Sequence, residues 1–108
     1  MEIGKLISRL IRKKGFTQKE VAKRIDKSPT ALSLIIKGEY NPNPETIKRL
    51  CDVFEIPQPI FYFLAISEDE IPEEKLHLYK ILAPSIKEFI LEVFGKEHDD
   101  LIEGVTSP

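Results

Sequence analysis

Residues 17–38 read TQKEVAKRIDKSPTALSLIIKG, and their order dictates two short helices with a sharp turn between them. Thr17-Gln18-Lys19-Glu20 has capping-box spacing: the Thr17 hydroxyl serves the Glu20 amide, and the Glu20 carboxylate reaches back to the Thr17 amide. Phe16 before that cap and Val21 at the fourth helical position are spaced as a hydrophobic staple. A helix therefore starts at Gln18. It ends near Ile25, since Asp26 tolerates the left-handed conformation of a tight exit, and Ser28-Pro29 supplies the next cap with a first-turn proline. The second helix runs from Pro29 to about Lys37 and stops at Gly38. Two-turn helices do not persist alone, so the pair must be held by neighbours, and Val21, Ala22, Ile25, Leu32 and Ile35 can face a common core.

Those neighbours are written on both sides. Upstream, Ile3, Leu6, Ile7, Leu10 and Ile11 fall at i, i+3, i+4, i+7 and i+8, while Lys5, Arg9, Arg12 and Lys13 take the other face, a helix over 2–14 closed by Gly15. Downstream, Asn43-Pro44 repeats the cap-plus-proline signal, and Ile47, Leu50, Cys51 and Phe54 share one face of a fourth helix. Pro57 and Pro59 end it and open a very apolar fifth segment over 60–66. SEDEIPEE, residues 67–74, reads as a connector and the first turn of another helix, where acids suit the positive dipole end. Leu76, Tyr79 and Leu82 lead to Pro84, after which Ile86, Phe89, Ile90, Val93 and Phe94 repeat the helical spacing; either one helix kinks at Pro84 or two helices meet there. No segment alternates as a strand, so the expected fold is all-α. The expected organisation is a five-helix domain over 1–66, an acidic connector with an amphipathic helical extension over 67–94, and a disordered tail over 95–108, where KEHDDLIEGVTSP has few apolar residues.

A chain of 108 residues holds one domain and an appendage, without a cleft between two lobes. Its start, MEIGKLISRLIRKKG, lacks the uninterrupted apolar run of a leader, and nothing approaches the ~20 apolar residues of a membrane span. A cytoplasmic protein with no membrane partner is the expectation. The net charge of -2 hides two unlike halves: residues 1–55 carry twelve bases against seven acids, a net +5, and residues 56–108 carry four bases against eleven acids, a net -7. A basic half fused to an acidic one suggests a polyanion-binding module joined to a part with another task, although an ordinary solvated surface has the same composition. Cys51 is the single cysteine, so an intrachain disulfide is excluded, and its place in the apolar spacing makes it a small buried hydrophobe. His98, beside Glu97, Asp99 and Asp100, has no second His or Cys at ligand spacing, and His77 is equally solitary, so no metal site is expected. Without a Ser/His/Asp set, paired catalytic carboxylates or a Gly-rich phosphate loop, neither an enzyme nor a bound cofactor is expected.

A three-residue connection after a small residue permits the steep crossing of a helix-turn-helix, which leaves the outer face of the second helix free to enter a major groove. In Thr17-Gln18-Lys19-Glu20-Val21-Ala22, in the turn Asp26-Lys27-Ser28 and in residues 32–38, the chain resembles the Cro/lambda-repressor-like (XRE-type) helix-turn-helix family. The resemblance covers roughly residues 2–66. It implies a five-helix, lambda-repressor-like domain that binds double-stranded DNA, a transcriptional regulator such as a repressor, acting as a homodimer. It implies that Gln18, opening the second helix, reaches a DNA phosphate. It makes residues 29–37 the recognition helix, entered through Lys27 and Ser28, with Pro29, Thr30, Ser33 and Leu34 on its outward face and Lys37, Tyr40 and Asn41 near the flanking backbone. Asp26 stands where glycine is usual in the turn. Pro29 and Leu34 replace polar residues commonly used for base hydrogen bonds, which leaves direct readout to Thr30, Ser33 and apolar contact with thymine methyls. Ile11 and Ile36 occupy positions where many relatives join the first and third helices through a buried Arg and Glu, an ion pair exchanged here for apolar contact.

Several of these residues have a plainer reading. Leu34 can cover a neighbouring side chain or meet another protein, Arg12-Lys13-Lys14 can be a solvated helix end that suits the dipole, and Tyr40 can pack under its loop. Beyond the five-helix core, Ile86, Phe89, Ile90, Val93 and Phe94 form a stripe expected to make a homodimer or partner contact, which would set two recognition helices one DNA turn apart, ~34 Å. The competing arrangement folds that stripe back onto Phe61, Phe63 and Leu64. Two other functions stay open: an antitoxin-type protein that binds operator DNA and holds a partner toxin with its acidic half, and a protein-interaction module that has lost DNA binding.

Overall fold

The computed structural model describes residues 1–95. In chain order it holds α1 (Ile3–Lys14), α2 (Gln18–Arg24), α3 (Pro29–Ile36), α4 (Pro44–Phe54), α5 (Gln58–Ala65), a 3₁₀ turn (Glu68–Glu70) and α6 (Glu73–Gly95), with no strand among the described residues. The fold is all-α, as the spacing of apolar residues dictates. Each early boundary has a local cause. The Thr17 hydroxyl accepts from the Glu20 amide at 3.1 Å and Glu20 Oε1 accepts from the Thr17 amide at 3.1 Å, so the capping box is complete. Ser28 Oγ accepts from the Ala31 amide at 3.0 Å, and Asn43 Oδ1 from the Thr46 amide at 2.8 Å. Phe16 packs against Phe54 with the rings tilted and their centroids 6.3 Å apart, and the Arg24 guanidinium lies over the Phe16 ring, 5.2 Å from its centroid.

Four helices end in the same way. After α1, Gly15 (φ 74°) donates to the Arg12 carbonyl and Phe16 donates to that of Ile11; after α3, Gly38 (φ 79°) donates to Ile35 and Glu39 to Leu34. This is the Schellman pattern, which satisfies two terminal carbonyls at the cost of one left-handed residue. In α2 and α4 that residue is not glycine: Asp26 (φ 59°) and Glu55 (φ 55°) take it, with Lys27 donating to the Ala22 carbonyl and Ile56 to that of Cys51.

One core joins the helices. Leu6, Ile7, Leu10 and Ile11 from α1 meet Val21, Ala22 and Ile25, Leu32 and Ile35, Leu50 and Phe54, then Phe61 and Leu64 of α5, all buried. Burying each large apolar side chain contributes about 1.5–3 kcal/mol, which supplies what the short α2 and α3 lack. Ile11 is buried, whereas Ile36 is half-buried against the core. Gly4 lets α1 abut the end of α3: a Cβ there would lie 2.3 Å from the Ile36 carbonyl oxygen.

The second half departs from the sequence reading in three respects. The apolar fifth helix begins at Gln58, because Pro59 is accommodated in its first turn. The connector forms a 3₁₀ turn with its own capping box at Ser67 and Glu70. Pro84 lies inside the single helix α6, the one-helix alternative of the two expected, on the exposed side, where water can serve a carbonyl left without its amide. Gly95, expected to begin the tail, is the last residue of α6. The rest of the expected tail, including His98 and its acidic neighbours, lies outside the described residues.

The C-terminal stripe is split. Leu91 is buried in the core, with Ile90 and Phe94 packed against the same cluster, whereas Ile86, Phe89 and Val93 are exposed. Upstream, Ala83 is buried and Leu82 is exposed. One edge of the segment therefore folds onto the core, as the competing arrangement had it, and the other faces away from the core. No described helix is long and apolar enough to cross a membrane.

Candidate nucleic-acid interface

The geometry of α3 follows from its neighbours. Leu32 and Ile35 are buried, which at 100° per residue turns Pro29, Thr30, Ser33, Leu34 and Lys37 to the opposite side. On that side Pro29, Thr30, Leu34 and Lys37 are exposed and Ser33 is half-buried. Leu34 keeps 37 % of its surface in water and is among the few large apolar side chains exposed in the first five helices. A helix of eight residues is about 12 Å long.

Each end of α3 opens into a cleft. At the entry, a cleft of ≈ 460 Å³ is lined by Lys19, Lys23, Asp26, Lys27, Ser28 and Pro29. At the exit, one of ≈ 430 Å³ brings Lys37, Tyr40 and Asn41 beside Lys5 and the start of α1. The structure thus gathers the expected Lys27, Ser28 and Pro29 at one end and Lys37, Tyr40 and Asn41 at the other, with Thr30, Ser33 and Leu34 between. Tyr40 is 49 % exposed and so is not packed under its loop. Gln18 is exposed at the first position of α2, outside both clefts.

The turn between α2 and α3 is held by a residue that the sequence reading passed over. Arg49 of α4 donates from Nη1 to the Ile25 carbonyl at 3.2 Å and lies 3.8 Å from the Asp26 carboxylate, while its Nε donates to Glu45 Oε1 at 3.4 Å. A guanidinium fork suits this triple contact. It offers Asp26 an electrostatic return for the left-handed backbone it adopts where glycine would fit without strain.

Two further cations were missed. Lys19 and Lys23 lie one helical turn apart on the outer side of α2, where bases read as solvated, and only the fold brings them to Lys27. None of Lys19, Lys23, Lys27 and Lys37 forms an ion pair with a described residue. The bases of α1 fare differently. Arg9 Nη2 lies 3.0 Å from Glu88 Oε2 and Lys13 Nζ 3.9 Å from Glu88 Oε1, so Lys13 of the Arg12-Lys13-Lys14 run is turned toward α6. Among the described residues no group of His, Cys, Asp and Glu could hold a metal ion.

This arrangement, two short helices with a tied turn and a presented outer face, defines a helix-turn-helix protein. Residues 7–57 match the family model described as Helix-turn-helix. That segment carries the helix-turn-helix of the Cro/lambda-repressor-like, XRE-type family, a family of DNA-binding regulators. No curated protein and no solved structure gives a significant match. The matched residues end before α5, yet α5 completes the same core.

Proposed function

We propose that the protein is a non-catalytic transcriptional regulator that binds specific sites in double-stranded DNA as a homodimer, with residues 1–66 as the DNA-binding unit and 67–94 as an extension serving subunit contact. The observation that carries this reading is α3 itself, whose outward face is bracketed at both ends by lysine-lined clefts. Its diameter with side chains, about 10–12 Å, suits a B-form major groove about 12 Å wide, and the cations at its two ends would lie toward the phosphates that flank the groove. Lys19, Lys23, Lys27 and Lys37 would supply sequence-independent attraction by counterion release. Gln18 would fix register on a phosphate, and Thr30, Ser33 and the apolar Leu34 would read base edges and thymine methyls.

Duplexes selected from a random library test the reading. Log affinity should fall with log salt at a slope of about -0.9 per phosphate engaged. Gln18→Ala should weaken all sites alike, whereas Thr30→Ala and Ser33→Ala should change the preferred sequence. Absent or salt-insensitive binding would refute it. The rival antitoxin-type reading draws on the acidic half, in which Glu88 is turned onto Arg9 and Lys13 of the same chain.

A further inference from the structure

The helix α6 has two apolar faces, and the core uses only one. Ala83 and Leu91 are buried and Ile90 and Phe94 lean on the core. About 120° around the helix, Leu78, Leu82, Ile86, Phe89 and Val93 fall within an arc of about 80° at 100° per residue. They form one line about 22 Å long, exposed by 55, 49, 45, 68 and 39 % respectively. Side chains of this size leave roughly 500 Å² of apolar surface in water there, at the upper end of what a monomer leaves uncovered.

We infer that this outer face is the seat of a second copy of the chain, packed antiparallel about a two-fold axis at Ser85 and Ile86. The inference deepens the dimeric reading above and rests on it for its two-fold symmetry. What selects a second copy over an unrelated protein is the spacing. An isologous contact must be complementary to itself when reversed, and this line is: laid antiparallel, Leu78 meets Val93 and Leu82 meets Phe89, each a bulky side chain against a smaller or flexible one. Ser85, exposed and small, shares the crossing with Ile86, and on the Ser85 side little side chain stands between the helices, so close approach is allowed there. The pair would bury about 1,000 Å² in all, the lower bound for a specific interface. The five residues differ from the stripe read from sequence, because Ile90 and Phe94 are already spent on the core.

Sedimentation of the full chain decides it. The 12.4 kDa chain should sediment as a dimer at micromolar concentration. Phe89→Asp should be monomeric with an unchanged helical spectrum, since the Phe89 side chain is 68 % exposed and outside the buried core of its own subunit. Oxidation should cross-link Ser85→Cys to itself and leave Leu78→Cys uncrosslinked, Cys51 being buried. A monomeric unaltered chain, a dimer that survives Phe89→Asp, or self-linkage of Leu78→Cys without Ser85→Cys each overturns the inference. Duplex binding separates the two readings: the Phe89→Asp monomer should keep salt-dependent binding to one half-site and lose at least tenfold on a paired site. An intact dimer that ignores duplex DNA would count against the DNA reading alone.

Discussion

Replacing Gly4 with alanine would place a methyl group where α1 meets the end of α3. The added carbon would lie 2.3 Å from the Ile36 carbonyl oxygen, 2.7 Å from that of Ile35 and 2.8 Å from the Ile36 carbonyl carbon. All three are backbone atoms, so no side chain can turn aside, and an ordinary approach requires the helices to part by about 1 Å. The seam cannot absorb this freely, because Leu6 and Ile7 of α1 and Ile35 of α3 are buried within it and interiors are close-packed. Forcing extra atoms into such a contact costs about 1–3 kcal/mol. Alanine returns up to about 1 kcal/mol of helix propensity, and less in a first turn. The net expectation is a loss of about 1–2 kcal/mol, or roughly 5–15 °C in Tm for a domain of this size. Urea titration followed by circular dichroism measures it as a lowered midpoint at unchanged slope. The displaced carbonyls end α3 beside Lys37, so under the proposed function duplex affinity should also fall, measured where both proteins are folded. A variant as stable as its parent, or more so, would refute the reasoning, because the propensity gain could prevail only if α1 and α3 did not touch there.

Glu55→Gly should stabilise by about 0.5–1 kcal/mol, since a left-handed side-chain residue costs about 1–2 kcal/mol and glycine's greater freedom when unfolded offsets part of the relief; a lowered urea midpoint would contradict this. Ile36→Glu should destabilise by about 1–2 kcal/mol, the cost of placing a carboxylate against apolar neighbours at a half-buried position, and an unchanged thermal midpoint would mean that the side chain faces water. Arg49→Ala should cost about 1–2 kcal/mol through the bond to the Ile25 carbonyl and should weaken duplex binding by loosening the turn; DNA affinity unchanged beside a clear stability loss would separate turn from function. Burial pushes the Cys51 thiol from 9.0 up to about 11, so it should resist a thiol reagent at pH 8 until urea unfolds the chain. A folded pKa above the unfolded one means that stability from this group is whole below pH 9 and is lost as pH rises through about 11.

Which parts of this molecule could be read from its sequence follows from how far each determinant reaches. Capping is a matter of three residues, so Thr17 with Glu20, Ser28 with Ala31 and Asn43 with Thr46 were legible, and the helix starts with them. The buried Val21, Ile25, Leu32 and Ile35 were legible because a two-turn helix has only one apolar edge to offer. The helix α6 offers two, and periodicity reports that apolar positions share an arc without saying which edge of the arc meets the core; that is why Leu91 was missed and Ile86, Phe89 and Val93 were grouped with Ile90 and Phe94. Longer reaches left no local trace. Arg49 lies 24 residues from the Ile25 carbonyl it holds, and Arg9 lies 79 residues from Glu88. The second of these alters how the charge split acts. Glu88 engages both Arg9 and Lys13, so part of the basic half's excess is directed inward, toward the acidic extension. The cations facing outward beside α3 are then the lysines of α2, the turn and the α3 exit, a set defined by the fold and not by the count of charges. A DNA-binding face can therefore stand on a chain whose net charge is -2, because duplex DNA meets the local field within a Debye length, about 8 Å at physiological salt, and not the total.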